Sequence, residues 1–434
     1  MKKSKNPSFK AFLISLLALS LLLPLLASCS SAKQSGLLSP ALDCIAEENS
    51  MAKSTLKGSA ISFSPEDFAR AVNSSDVRSI TITSAPPVTH GELRVGSTVI
   101  SGEQTLSAAS ISLMTFHPSS DITRSEFRFR VDGSPYEMCC KLYVLDEQNY
   151  APTLASAPKT ALEVSTHENV TYFGSLPCYD PDGDDTFVEI VSYPEKGLLV
   201  IDDRTTGAYR YVPYEGSVGK DSFVYVARDI YGNYSASASV SLKISKTQTP
   251  TVYVDLDDSP YHNSALTMTE KNIMSGTQVG ASTYFYPEKA VSRAEFLVMA
   301  MNAAGINEVN PVSQTVFADD ADIPSHMKSY VAAAYDLGYI KGSEVDGRLC
   351  FDPNREITRA EAAVMLATML DAATPTITPV FEDSSDIPVW AQASVYSLSY
   401  MGILESSGGN ISPTASVTRG DAAEILCNFM TVRS

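Results

Sequence analysis

The sequence is short of tryptophan, histidine and positive charge. Trp390 is the one tryptophan in 434 residues, there are five histidines, and 32 Lys+Arg stand against 50 Asp+Glu, a formal charge of −18. No charged run is basic, and phosphate contacts need a basic face, so nucleic acid is not an expected partner. His90, His117, His167, His262 and His326 fall in no nucleophile or metal motif, and no Gly-x-Ser-x-Gly occurs. Gly216–Asp221 fails as a phosphate loop because its first glycine is too close and Asp221 replaces Ser/Thr. Abundant carboxylates leave a glycosidase pair open, but nothing singles out two, so the chain is not expected to be an enzyme. Of the seven cysteines, the six after Cys29 match no metal-binding spacing; disulfides and buried thiols both stay open. Beyond Ala27 no apolar run is long enough to span a bilayer. What the chain does have is 44% apolar residues, enough for real cores, over a length that suggests two to four domains.

Residues 1–28 hold Lys2, Lys3, Lys5 and Lys10 and no acid, so the remainder carries 28 cations against 50 acids, or −22. The lysines precede an apolar run from Ala11 to Ala27, the pattern of an export signal. It ends Leu26-Ala27-Ser28-Cys29, which resembles the bacterial lipobox. The resemblance implies diacylglycerol on Cys29, membrane anchoring by acyl chains and an extracytoplasmic location. Ordinary cleavage after Ala32, discarding Cys29, is the alternative. Residues 29–56 are polar and without period, and read as a tether.

Two stretches of short strands follow, at 57–148 and 149–248. They echo each other. His90-Gly-Glu-Leu93 matches Lys196-Gly-Leu-Leu199, Phe116-His-Pro118 matches Tyr211-Val-Pro213, and Phe127 matches Phe223, so they read as a tandem repeat of all-β sandwiches. With Asn149-Tyr-Ala-Pro152, Asp180-Pro-Asp-Gly-Asp184 and Asp229-Ile-Tyr-Gly232, the second resembles bacterial Ig-like/cadherin-like modules, which implies a spacer or adhesive role. Asp180, Asp182 and Asp184, with Asp185 beside them, suit a structural Ca²⁺, which takes clustered oxygen ligands, though the glycine position excludes an EF-hand. A plain Asp/Gly turn explains the same residues. No other cofactor is expected.

From residue 252 the pattern becomes helical and repeats about every 64 residues. Tyr253-Val-Asp255, Phe317-Ala-Asp319 and Phe381-Glu-Asp383 recur, as do Phe285-Tyr-Pro287, Phe351-Asp-Pro353 and Ile411-Ser-Pro413. Each of the latter leads to Ser292-Arg-Ala-Glu295, Thr358-Arg-Ala-Glu361 or Thr418-Arg-Gly-Asp421, the capping-box pattern of a helix start. Arg293, Arg359 and Arg419 are three of only ten cations among 23 acids in residues 251–434. At a helix start each should point outward beside free N–H groups, an arrangement suited to an anion.

These landmarks resemble the S-layer homology domain, with three motifs at about 252–307, 316–372 and 380–434. The resemblance implies an all-α, pseudo-threefold unit at 252–434 and non-covalent binding of cell-wall polysaccharide, typically pyruvylated. It carries the ligand role to Arg293, Arg359 and Arg419, and more weakly to Gly276, Gly342, Lys341 and Trp390. Departures are His262 and His326 where Trp390 stands in the third motif, and the third motif's Arg-Gly-Asp and lack of a glycine matching Gly342. The expected protein is a multi-domain, lipid-anchored surface protein whose Ig-like modules space a wall-binding domain. The alternative is an adhesin whose Ig-like modules bind an outside ligand.

Overall fold

The computed structural model describes residues 50–72, 76–132, 134, 136–154, 161–176, 178–375, 379–407 and 409–433. The signal segment, the lipobox with Cys29, and Cys44 lie outside the described residues.

Among the described residues the first unit has nine strands: β1 Ser50–Leu56, β2 Ile61–Ser62, β3 Ser79–Ser84, β4 Gly91–Val95, β5 Thr98–Val99, β6 Gln104–Ser107, β7 Met114–Pro118, β8 Arg124–Val131 and β9 Met138–Leu145. One sheet has the order β1-β9-β8-β3-β6 and the other β2-β7-β4-β5. Strict alternation builds the core: along β8 the buried residues are Ser125, Phe127, Phe129 and Val131, while the arginines between them face water. Helix α1, Pro65–Ala71, adds Phe68 edge-on to Phe129 at 4.9 Å. A second short helix, α2 Ala108–Ile111, closes one end with buried Ile111. Cys139 and Cys140 point to opposite faces of β9; both are free thiols, and only Cys140 is buried.

The tether expected over 29–56 ends earlier. Ser50–Leu56 is a full strand, parallel to β9 over seven residue pairs. Its Ser, Lys and Thr hid it, because only Met51 and Ala52 are buried, and edge strands tolerate polar residues.

The second unit repeats this plan with β10 Thr153–Leu154, β11 Ala161–His167, β12 Tyr172–Ser175, β13 Cys178–Tyr179, β14 Thr186–Ser192, β15 Gly197–Asp203, β16 Ala208–Pro213, β17 Gly219–Asp229 and β18 Ala238–Ser245. Its sheets run β11-β18-β17-β14 and β12-β16-β15, with β10 paired to β13. As in the first unit, an early edge strand pairs parallel with the last strand, here β11 with β18. Phe127 and Phe223 occupy matching core positions on β8 and β17.

The units are fastened to each other. Gly232 leaves no room for a side chain, since a Cβ there would overlap the Ala52 carbonyl oxygen of β1. Tyr231 meets Tyr143 edge-on at 5.1 Å, and Arg70 lies 4.2 Å from the Tyr234 ring. At the other end His167, 6% exposed, contacts Asn263 Oδ1 at 2.7 Å and Glu270 Oε2 at 3.2 Å, and Val170 is buried in the core of the C-terminal unit.

That unit has helices α3 His262–Glu270, α4 Arg293–Ala303, α5 Lys328–Asp336, α6 Arg359–Leu370, α7 Gln392–Tyr400 and α8 Arg419–Arg433. It is not purely helical. Hairpins β19 Thr277–Val279 with β20 Ser282–Tyr284, and β21 Ser343–Val345 with β22 Arg348–Cys350, fill the loops before the first two F-x-P turns. The third motif's loop is shorter and, among the described residues, makes one bridge, Ser407 to Asn410. Helices α4, α6 and α8 bury Phe296, Leu366 and Leu426 at a common core, in keeping with apolar residues nearly all round them.

Candidate ligand site at the joints of the C-terminal ring

Each of α4, α6 and α8 starts with a capping box. The Glu295, Glu361 and Asp421 amides donate to the hydroxyls of Ser292, Thr358 and Thr418 at 3.3, 3.3 and 3.1 Å. In return the carboxylates accept from the capping residues' own amides. Aspartate in the third motif closes the box as glutamate does in the others. Each cap is worth about 1 kcal/mol.

Just before each cap, the three motifs join at one point. Val291 N donates to Val417 O at 2.9 Å, Val417 N to Ile357 O at 2.9 Å, and Ile357 N to Val291 O at 3.1 Å. All three residues are buried, so the three hydrogen bonds close a dry ring.

The F-x-P turns sit around this ring. Asp255 accepts from the amides of Phe285 and Tyr286, Asp319 from Phe351 and Asp352, and Asp383 from Ile411 and Ser412. These aspartates hold Tyr286, Asp352 and Ser412 left-handed, at φ 57°, 57° and 52°, a conformation that costs an L-residue about 1–2 kcal/mol. The pinned turn presents its carbonyls to the next motif.

Those carbonyls correct the expectation for the arginines. At the start of α4, Arg293 N donates to Arg355 O at 2.8 Å and Ala294 N to Pro353 O at 3.1 Å. Ala415 and Pro413 do the same for α6, and Lys289 and Pro287 for α8. The leading amides are thus spent on the neighbouring motif and are not free for an anion. Nor do the side chains point outward. Arg293 Nε donates to Phe351 O at 3.1 Å, Arg359 Nε to Ile411 O at 2.9 Å, and Arg419 Nε to Phe285 O at 2.7 Å. Each motif's arginine therefore staples the next motif's turn, and the third reaches back to the first. Arg293 and Arg359 side chains are only 14% and 15% exposed. Burial lowers the pKa of Arg293 and Arg419, and both also lie over phenylalanine rings.

The three joints differ in what surrounds the staple. Arg359 Nη2 donates to Glu405 O at 2.7 Å and Arg419 Nη2 to Ser275 O at 2.8 Å. Counting from the left-handed residues Asn272, Gly338 and Gly402 that end the preceding helices, Ser275, Lys341 and Glu405 are equivalent positions. Among the described residues Arg293 Nη2 has no hydrogen bond; its Nη1 lies 3.6 Å from Glu361 Oε1. Arg355 also pairs with Glu361, at 2.7 Å. Burial works to raise the Glu361 carboxyl, but Arg355, the Thr358 amide and Arg293 outweigh it and hold it low. The joint of Arg359 is acidic instead. Burial, then Glu405 and Asp421, push Glu424 up to about 7, and burial raises Glu405 as well.

Gly276 and Gly342 are packing positions. A Cβ on Gly276 would overlap the Tyr253 ring, and one on Gly342, at φ 76°, would stand 2.6 Å from the Phe317 ring. The third motif has Ser406 at the equivalent place, allowed by its shorter loop. Lys341 is exposed, as is Trp390 at 61%. No ring contact links Trp390 to the arginines among the described residues. Arg355, Glu405 and Glu424 were not singled out by sequence; the offset from the left-handed helix ends would have found Glu405.

Asp180, Asp182 and Asp184 do come together, a carboxylate oxygen of each lying within 4.8 Å of the others.

The S-layer homology domain model matches residues 317–363 and 380–423, and the bacterial Ig domain model matches 149–243. The surface-layer 125 kDa protein of Lysinibacillus sphaericus is 30% identical over 114 residues, 26% of this chain and 9% of that protein. S-layer protein EA1 of Bacillus anthracis is 28% identical over 162 residues, 37% of this chain and 18% of that protein. An endoglucanase of Bacillus sp. (strain KSM-635) is 26% identical over 172 residues, 37% and 17% of the two chains. The chain spans less than a fifth of the length of each of these relatives. Fibronectin(III)-like modules of Clostridium thermocellum CbhA cover 47% of this chain and 94% of their own at 16% identity, but a TM-score of 0.22 carries no argument. The chain thus contains S-layer homology motifs and a bacterial Ig domain, and it shares parts of its sequence with surface-layer proteins and with hydrolases.

Proposed function

We propose that this is a cell-envelope protein held non-covalently to wall polysaccharide by residues 252–434. In this reading residues 252–307 supply the first S-layer homology motif of a pseudo-threefold unit. The supporting observation is cyclic: the aspartate, F-x-P turn and stapling arginine of that segment do what their counterparts in the two matched motifs do. The two sandwiches space the unit from the membrane, where lipid on Cys29 holds the other end of the chain.

We infer that the ligand sits at one joint, a reading that the joint charges support. An anionic glycan of the pyruvylated kind needs a carboxylate partner, and a guanidinium offers paired N–H donors for one. Among the described residues Arg293 Nη2 has no hydrogen bond; Arg355 lies nearby through shared Glu361, and Lys341 stands where the other joints have Ser275 and Glu405. At the joint of Arg359, Glu405 and Glu424 would repel the same ligand. The test is sedimentation of the full chain with purified cell walls. Wild type should pellet, and Lys341→Glu, an exposed change, should weaken binding at least tenfold. Failure of wild type to pellet refutes the function, and an unaffected variant refutes the assigned joint.

A further inference from the structure

The second sandwich ends in a basic groove where it meets the C-terminal unit. Strands β17 and β18 pair Lys220 directly with Lys243, and both residues are exposed. Together with Lys246, just past the end of β18, they line an open groove of about 620 Å³ whose other walls are Gly219, Ile244 and the segment 245–248. Lys196 adds a fourth ammonium at the rim: its Nζ donates to Val218 O at 3.0 Å, and a Cβ on Gly219 would stand 3.1 Å from it. Residues 149–248 hold eight Lys+Arg and 13 Asp+Glu, so half the cations of an acidic module gather at one spot.

These charges are not neutralised from within. Among the described residues the ammonium groups of Lys220, Lys243 and Lys246 enter no ion pair or hydrogen bond, whereas Arg210 and Arg228 of the same module pair with Asp202 and Glu189. No carboxylate lines the groove among the described residues, and the acids beside it are turned elsewhere. Asp221 points to the other face of β17, where it accepts from the Tyr211 hydroxyl at 2.7 Å and from the amides of Glu195 and Lys196. Glu168 accepts from Thr247 N at 3.3 Å, and Glu270 of α3 from Gln248 N at 2.6 Å, so the wall at 245–248 is tied down on both sides. Like charges directly opposite on a sheet are destabilising, so the Lys220 and Lys243 pair weakens the strands that carry it. Solvation accounts for lone surface lysines. It does not account for an uncompensated pair in a concave, fixed groove of an acidic chain.

The groove also limits its ligand. Ammonium groups are compact point charges that bind phosphate without the planar fork suited to carboxylate. The volume exceeds that of one phosphate ion, and no aromatic ring lines it for a nucleic-acid base to stack on. A bilayer surface is flat and does not enter a seam between two units. The first sandwich docks on the opposite end of this module, so the groove lies away from the N-terminal end of the chain.

We propose that Lys196, Lys220, Lys243 and Lys246 bind a phosphodiester polymer of the cell wall, a flexible chain with one phosphate per polyol unit, as a second anionic ligand separate from the glycan of the Arg293 joint. The partner class rests on the envelope location proposed above; the phosphate chemistry rests on the groove alone. Held at two places, the chain leaves the wall more slowly than either contact allows. The experiment is calorimetric titration of the full chain with purified poly(glycerol phosphate) at about 50 and about 150 mM NaCl. Polygalacturonate and phosphatidylcholine vesicles with about one-third phosphatidylglycerol serve as comparisons. The polymer should bind wild type more tightly than either comparison, and with three phosphates neutralised the higher salt should weaken it about tenfold. The double variant Lys220→Gln with Lys243→Gln should keep the fold by circular dichroism, melt no lower than wild type, and weaken the polymer by about tenfold or more. Lys341→Glu should leave polymer binding unchanged, which separates this groove from the Arg293 joint. No binding to wild type, or equal affinity in the double variant, overturns the site. Polygalacturonate binding as tightly overturns the phosphate chemistry, and vesicles binding as tightly overturn the wall polymer. Because the probe is a purified polymer, failure of the chain to pellet with walls does not decide this titration.

Discussion

Removing the Arg419 guanidinium opens the joint that closes the ring. Its Nε and Nη2 hold the carbonyls of Phe285 and Ser275 at 2.7 and 2.8 Å, and it lies 4.7 Å from the Phe285 ring. Charged hydrogen bonds contribute about 1.5–3 kcal/mol each and an arginine over a ring about 0.5–1 kcal/mol. Because the Nη2 end is solvent-accessible, the lower ends apply, and Arg419→Ala should cost about 3 kcal/mol. For a unit of this size that lowers the melting temperature by roughly 6–12 °C. Arg419→Lys can reach only one carbonyl and should lose about half as much. The assay is built into the sequence. Trp390 is the one tryptophan and lies in the C-terminal unit, so its fluorescence reports that unit within the full chain. Melting of Arg419→Ala within 2 °C of wild type would refute the staple. Because these arginines hold the joints, alanine at any of them lowers the stability of the C-terminal unit before any effect on a ligand is read.

Three further predictions follow from particular residues. Gly232→Ala should separate the two sandwiches, because the new methyl overlaps the Ala52 carbonyl, and small-angle scattering should report a longer, more flexible particle. Thr358→Ala removes the cap of α6 and should destabilise the C-terminal unit by about 1 kcal/mol in a Trp390-monitored melt. Glu424 titrates near 7 when folded and near 4.5 when unfolded, so the folded state binds more protons between those values. Its contribution is complete below pH 4.5 and is lost as pH rises to about 7, a fall of roughly 2 kcal/mol after allowing for solvent screening. Glu424→Gln should flatten that slope in melts between pH 5 and 8, while carboxylates held low, such as Glu361, act only at lower pH.

Features whose physics is local were legible in the sequence. A capping box spans three residues, so Ser292-Arg-Ala-Glu295 announces its helix, and Phe127 and Phe223 announce their strands through alternation. The arginines show where that reading stops. Their acceptors lie 58, 52 and 134 residues away in sequence, on a turn whose carbonyl direction is set by a third residue, Asp319, Asp383 or Asp255. Repetition revealed that the arginine matters, yet not that its first partner is a protein carbonyl. Strand β1 was hidden for another reason: it is an edge strand whose pairing with β9 is entirely backbone, so its side chains carry little signal.

The most direct measurement is calorimetric titration of the full chain with purified wall polysaccharide, before and after mild acid removes the ketal carboxylates. One saturable site per chain, weakened at least tenfold by acid treatment, or about 1.4 kcal/mol, is the result predicted from the Arg293 joint. Equal affinity for both preparations would contradict recognition of an anionic glycan, and no heat with either would contradict wall binding through residues 252–434.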